Sequence, residues 1–290
     1  MKFNMQTKNG AVAGLLISTV FWGASFPIVK VALSDIDPFL FIIARFVIAS
    51  IIVLAIIAIF KGSVRRLLNN RILWILGVTN AIGFAMEFFG LSLTTASKAS
   101  LLVNINVVFV AIFAAVILKD RIGSRVKVGI MVGLVGVFLT TTGGQLSTLA
   151  YGSMLGDIIV FVGGIVWAYS NIYNKKAVME LKLTSMEVTE SMTLITTIAL
   201  LPLLPFSSLA FSPTPFSVSA LLYVSLICTI LGFYLYYKSL KTLTIVNAGI
   251  ITLFEIVVSI AIANVFLGET LPPLGIVGGL LIGASILLVS

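Results

Sequence analysis

Apolar residues run along this chain in long solid stretches. They show neither the strict alternation of a half-buried strand nor the one-sided stripe of a surface helix. Ten stretches reach the roughly 20 residues that a bilayer-spanning helix needs. They are approximately Ala11–Leu33, Pro38–Phe60, Ile72–Thr95, Ala99–Leu118 and Val126–Gly143, then Ser153–Asn174, Ser185–Pro205, Val218–Leu240, Ile245–Leu267 and Pro272–Val289. Most polar connections are very short; the longest are Lys61–Arg71, Gly144–Gly152 and Phe206–Ser217. No soluble domain fits between the spans. Transmembrane β-strands would alternate in polarity, so the expectation is an all-α integral membrane protein with ten transmembrane helices.

Composition agrees. Of 290 residues, 60% are hydrophobic and 10% charged, too little charge to cover a soluble surface of this size. The first apolar run is too long for a signal-peptide core, lacks an A-x-A site and is followed by further spans. The single cysteine, Cys228, rules out an internal disulfide framework and a cysteine metal site. Histidine is lacking, so the commonest metal ligand and neutral-pH base are lacking too. No cofactor or metal is expected.

A net charge of +8 would suit nucleic acid if it were clustered, but the basic residues mark membrane topology instead. With the amino terminus inside, 15 of the 18 Lys and Arg fall in cytoplasmic segments: Lys2, Lys8, Lys61, Arg65, Arg66, Arg71, Lys119, Arg121, Arg125, Lys127, Lys175, Lys176, Lys182, Lys238 and Lys241. Only Lys98 falls in an outer loop, while Lys30 and Arg45 lie within spans. Both termini are therefore expected in the cytoplasm of a multi-pass cell-membrane protein. Lipid is the expected partner, and nucleic acid is not.

The chain repeats itself. WGASFPIVK (Trp22–Lys30) has a counterpart in VWAYSNIYNKK (Val166–Lys176) at an offset of 145, which aligns Trp22 with Trp167 and Lys30 with Lys175. Ser92–Asp120 aligns with Lys241–Glu269 at an offset of 149, bringing Ala99 to Ala248 and Asp120 to Glu269. Two units follow, residues 1–147 and 148–290. Each holds five spans, an odd number, so the second must sit inverted. Such 5+5 inverted repeats are typical of alternating-access carriers that bind substrate near the midplane.

These segments carry a family resemblance. FWGASFPIVK, Arg45, GLSLTTASKASLL (Gly90–Leu102), VWAYSNIYNKK, LFEIVVSIAIANVFLGE (Leu253–Glu269) and a glycine-rich last span occur in that order through ten spans. In this the chain resembles the drug/metabolite transporter superfamily, specifically its EamA type. The resemblance implies a ten-helix secondary carrier of small organic molecules, commonly an exporter of amino acids or other metabolites. The family often has proline near the middle of spans four and nine; Val107 and Ile256 stand there instead, which puts a kink at those places in question.

Ionisable groups inside a bilayer cost several kcal/mol and each calls for a reason. Arg45 in span two and Glu87 in span three fall at similar depth, about 1.5 Å per residue below the outer surface. They read either as a structural ion pair or as a carboxylate anchor and a proton carrier. Glu255 lies near the midplane of span nine, suited to interhelical hydrogen bonding or to proton coupling. Glu190 ranks below both. Asn80, Asn104, Asn106, Asn171, Asn174 and Asn247 offer amides that could bind a zwitterion without fixed charge or join helices. Successive helical side chains turn by about 100°, so Asn104 and Asn106 should not both face a cavity.

Trp22 and Trp167 lie too deep for an interfacial belt, and with Phe84, Tyr169 and Tyr234 they are expected to wall the site. Pro27, beside Gly23 and Ser25, crowds the carbonyl of Gly23 and reads as a hinge for the outer gate. Lys30 and Lys175 are expected to snorkel to opposite rims. Gly275, Gly279 and Gly283 read as a helix-packing face.

A membrane enzyme would need clustered acids, histidines or a metal site, and a nucleotide-driven pump a G-x-x-x-x-G-K-[ST] loop; neither pattern occurs. No enzymatic activity is expected. A channel fits a five-plus-five repeat less well than a carrier does. A sugar-phosphate or nucleotide-sugar antiporter would need several deep cations, and only Arg45 is deep. The expected cargo is a neutral or zwitterionic metabolite such as an amino acid. Proton antiport, exchange and facilitated diffusion all stay open, as does a homodimer.

Overall fold

The computed structural model describes residues 5, 7–145, 147, 152–209, 211–268 and 273–290. Glu269, paired above with Asp120, lies outside them. Among the described residues the chain is helical, with one isolated β-bridge, Ile36 to Phe211. Among the described residues nine helices are long and apolar enough to cross a bilayer: α1 (Lys8–Ala32), α2 (Pro38–Ile59), α3 (Arg71–Leu93), α4 (Ala96–Leu118), α5 (Ser124–Thr142), α6 (Met154–Glu180), α7 (Ser185–Phe206), α8 (Pro215–Leu240) and α9 (Ile245–Phe266). A shorter apolar helix follows, α10 (Pro273–Val289, 17 residues).

Short connections fold because their few polar residues cap the helices. Asp37 accepts from the amides of Phe39 and Leu40 ahead of Pro38, a good first helical residue. Thr184 with Glu187 and Thr214 with Ser217 close reciprocal capping boxes on α7 and α8. Thr95 and Thr244, at the 149-residue offset, cap α4 and α9 in the same way. Outward faces stay apolar: Phe60 is 80% exposed, Phe266 77% and Leu287 78%, which suits contact with acyl chains rather than water.

Packing follows a pattern of exchange. α3 lies along α6, and α1 along α8; α1 crosses α9, and α6 crosses α4; α3 meets α7, and α8 meets α2. α2 packs on α7, and α5 on α10. The α5–α10 contact is a close backbone approach, since a methyl group on Gly278 would run into Thr140 and the Gly136 carbonyl. The packing glycine of the last helix is thus Gly278. Nothing lies within 4 Å of a methyl placed on Gly283, so the expected spacing by four does not mark the contact face.

Four helices depart from regular winding, α7 by tightening to a 3-10 helix over Leu201–Phe206. α4 and α9 are interrupted at Ile105 and Leu253, close to where proline was looked for, although the residues there are Val107 and Ile256. Tight bonds span the breaks, Val108 N to Ile105 O at 3.1 Å and Ile256 N to Leu253 O at 3.1 Å. In α8, Val224–Gly232 is wound as a π-helix. α1, by contrast, runs unbroken through Pro27.

The connections also lock to one another. At one end, the α1–α2 loop holds the α7–α8 loop: Thr214 Oγ1 donates to Asp35 Oδ2 at 2.7 Å, Ser208 Oγ to Asp37 Oδ2 at 2.8 Å and Ser212 N to Asp35 O at 3.0 Å. Between the α2–α3 and α6–α7 connections, Arg66 pairs with Glu187 at 3.3 Å and donates to Lys182 O at 3.0 Å.

Candidate functional site

A cavity of about 90 Å³ opens among α1, α2, α3, α4, α6, α8 and α9. One water needs about 10–15 Å³ on this measure, so several waters or a small solute fit. Trp22, Phe84, Trp167, Phe233 and Tyr236 form its aromatic wall. The rings interlock: Phe84 meets Trp167 edge-on at 4.6 Å, and Trp22 lies 5.1 Å from Phe233 and 5.5 Å from Tyr236.

The two tryptophans are seated alike. Trp22 of α1 lies against Gly232 of α8, and Trp167 of α6 against Gly83 of α3; in each case a methyl on the glycine would come within 3.0 Å of the indole nitrogen. Their polar edges differ. Trp22 Nε1 donates to Cys228 O at 2.9 Å, a carbonyl within the π-helical turn. Trp167 Nε1 is buried toward Glu87 and closes no hydrogen bond of ordinary geometry.

Charges of both signs face the space. Arg45, Glu87 and Glu255 all line it, and none forms an ion pair among the described residues. The direct Arg45–Glu87 pair is therefore replaced by a shared cavity. Arg45 instead stacks over the Phe84 ring at 4.5 Å, with Phe46 and Phe88 at 5.4 and 5.6 Å, and its Nε donates to Thr229 Oγ1 at 2.9 Å.

Amides complete the polar lining. Asn104 donates to Ser100 O at 2.9 Å, which leaves its carbonyl oxygen for the cavity. Asn171 Oδ1 accepts from Asn174 at 3.0 Å and from Tyr236 at 2.9 Å, leaving its NH2 as the open group. Asn104 and Asn106 both line the cavity, against expectation, because the break at Ile105 removes the regular turn between them.

Asn80, Tyr169 and Tyr234 do not line this space. Asn80 sits on the α7 side of α3, with Nδ2 2.9 Å from Met192 Sδ. Tyr169 follows Trp167 by two residues, about 200° around the helix, and pairs with Tyr173 at 3.1 Å. Tyr234 faces a second hollow beside Lys238, Lys241 and Met5. Glu190 is buried on α7 outside the central lining. Among the residues missed were Phe233, Tyr236 and Thr252, which carry no charge to single them out within their apolar runs.

Gly23 is a crossing point: a methyl there would strike the backbone carbonyl of Glu255, so this glycine sets how closely α1 approaches α9. The lysines do more than snorkel. Lys30 Nζ donates to Leu91 O at 2.8 Å and Ser92 O at 3.2 Å, the carboxyl end of α3. Lys175 Nζ donates to Leu240 O at 2.7 Å and Leu243 O at 2.9 Å, the carboxyl end of α8. Each cation answers the exposed carbonyls and negative dipole end of a helix. Lys98, expected on an outer loop, is buried at the start of α4 in an ion pair with Asp157.

Comparison with known proteins adds identity to this geometry. The model of the EamA-like transporter family matches the chain twice, at residues 9–142 and 154–290. An uncharacterized transporter of Archaeoglobus fulgidus is 31% identical over 78% of each chain. A probable amino-acid metabolite efflux pump of Salmonella typhimurium is 27% identical over 97% of this chain and 94% of its own. A probable terminal-alkyne amino-acid exporter of Streptantibioticus cattleyicolor is 27% identical over 97% and 93%. A protein crystal structure superposes with a TM-score of 0.78 over 97% of this chain and 96% of that chain at 15% identity, a likeness of fold.

Proposed function

Because the chain belongs to the EamA-like transporter family of multi-pass membrane proteins, we propose that it is a secondary carrier that moves amino acids or similar zwitterionic metabolites outward by alternating access. One observation carries this reading: Arg45, Glu87 and Glu255 face one cavity, and none forms a salt bridge within 4.0 Å among the described residues. Unpaired charge inside a membrane protein is costly, and an amino acid brings a carboxylate for the guanidinium and an ammonium for a carboxylate. The aromatic wall accommodates an apolar side chain. Arg45 is the one basic side chain lining the cavity among the described residues, too few for a phosphate cargo.

The carrier has ten spans arranged as an inverted 5+5 repeat, divided at residues 147 and 148, with both termini cytoplasmic. The twofold family match supports this, as do the exchanged packing of α1 with α8 and α3 with α6 and the parallel seating of Trp22 and Trp167. On this orientation the Asp35–Thr214 contacts join two connections at the outer face and Arg66–Glu187 two at the inner face. The carrier works in lipid; proton antiport, exchange and facilitated diffusion all stay open, and Glu87 and Glu255 are the candidates for a proton carrier.

Reconstitution into liposomes tests the reading. Uptake or counterflow of radiolabelled neutral amino acids above that of empty vesicles is expected. Movement of none of them, or of inorganic ions at channel rates, overturns it.

A further inference from the structure

Arg45 enters the cavity with one nitrogen already committed. Nε donates to Thr229 Oγ1 at 2.9 Å, and three phenylalanine rings crowd the guanidinium faces. The Thr229 hydroxyl is itself fixed: it donates its one proton to Val224 O, five residues back, at 2.8 Å. That bond belongs to the π-helical winding of Val224–Gly232. With its proton spent there, the hydroxyl has only lone pairs to offer Arg45. Nε is thereby held on the α8 side. The two terminal nitrogens make no hydrogen bond to a described residue, and they form the edge that fits a carboxylate in bidentate fashion.

We propose that Thr229 is a positioning residue for substrate selection: it fixes Arg45 by Nε so that the terminal edge takes a substrate carboxylate, and the cavity prefers carboxylate-bearing metabolites to their amides and amines. The inference rests on the carrier reading above and deepens it. The π-helix supplies the geometry. A regular α-helical turn would place residue 229 at a different angle around α8, and its hydroxyl would bond four residues back instead of five. The rings of Phe84, Phe46 and Phe88 lie 4.5, 5.4 and 5.6 Å from the guanidinium carbon, apolar neighbours that leave the terminal nitrogens as its polar edge.

The test uses the full chain in nanodiscs with L-leucine, L-leucinamide and isoamylamine, measured by equilibrium binding and, in liposomes, by transport. Wild type is expected to prefer leucine over leucinamide by about tenfold or more. Thr229→Val, which keeps the shape and loses the hydroxyl, is expected to erase most of that preference, and Thr229→Ser to restore it. Arg45→Lys is expected to lose it as well, since an ammonium lacks the fork. Should Thr229→Val fail to insert, Thr229→Ala reads the same ratio. A valine variant that keeps the full acid-over-amide preference overturns the positioning role, as does equal weakening for all three ligands. Wild type that binds and moves none of the three fails the carrier reading itself, a result distinct from either.

Discussion

Trp22 and Trp167 lie in different family-matched segments and rest on glycines, Gly232 and Gly83, each contributed by the other segment. The likeness ends at the indole nitrogen. Trp22 finds the Cys228 carbonyl, while Trp167 finds no partner of ordinary geometry beside Glu87. Alanine at either glycine crowds its indole, and overpacking of this kind costs about 1–3 kcal/mol. Gly232→Ala is expected to lower the melting temperature in detergent and leave substrate preference unchanged. Gly83→Ala is expected to push Trp167 into the cavity and cut transport more than stability. Equal transport by the two variants would count against a special place for Trp167.

Lys30 and Lys175 hold the carboxyl ends of α3 and α8. Replacing either with methionine keeps the apolar stem and removes the donor. Each change is expected to cost about 1–2 kcal/mol, the value of a charge-assisted helix cap. Thermal unfolding of the single and double variants measures it. Additive losses are expected, because the two lysines sit in different segments and cap different helices, α3 and α8. A snorkelling role alone would leave the melting temperature unmoved.

Much of this could be read from the chain, and the failures share a cause. The apolar runs located the helices to within a few residues because solid hydrophobicity has few other uses at that length. The offsets of 145 and 149 paired Trp22 with Trp167 and Lys30 with Lys175, yet the targets, Gly232 and Leu240 among them, are carbonyls and glycines far along the chain with no signal of their own. Reasoning from a regular helix separated Asn104 from Asn106, and Tyr234 was expected at the site where Phe233 and Tyr236 stand. The break at Ile105 and the π-turn before Phe233 lie in apolar sequence that resembles any other span.

The two aspartates beside α1 and α2 carry a pH dependence. The hydrogen bond from Thr214, with others from Ser217 and Ser34, holds Asp35 below its ordinary value of 3.8. Partial burial opposes the shift at Asp37, but bonds from the Ser208 amide and hydroxyl and from the Leu40 and Phe39 amides still hold it low. A lowered carboxyl pKa contributes stability that is complete above the unfolded value and is lost as pH falls through the folded one. The loop contact is thus expected to stay intact at neutral pH and to weaken below about pH 4. Hydrogen exchange of the Ser208 and Ser212 amides against pH checks this; Asp37→Asn should show the weakened state at neutral pH.

Glu255 has no ion-pair partner among the described residues and sits where α1 crosses α9 at Gly23. Under the proton-coupled reading, Glu255→Gln is expected to abolish the response of uptake to an imposed pH gradient while substrate exchange continues. Flux in wild type that ignores the gradient would end that reading for both glutamates.

Pro27 lies within an unbroken helix, so any hinge there belongs to motion. Pro27→Ala is expected to slow transport several-fold with little change in binding, by restoring an amide that stiffens α1. Unchanged transport rates would leave Pro27 as a packing residue only.

The two loop closures differ in mechanical character. Asp35, Asp37, Ser208 and Thr214 have short side chains, and their bonds of 2.7–3.1 Å fail once the loops part by little more than an ångström. Arg66 reaches Glu187 and Lys182 on a long, flexible stem that can follow a retreating partner through several rotamers. One closure is brittle and the other elastic. Under the carrier reading, the aspartate end is expected to open in a single event and the arginine end by degrees, a difference in how the two faces would part.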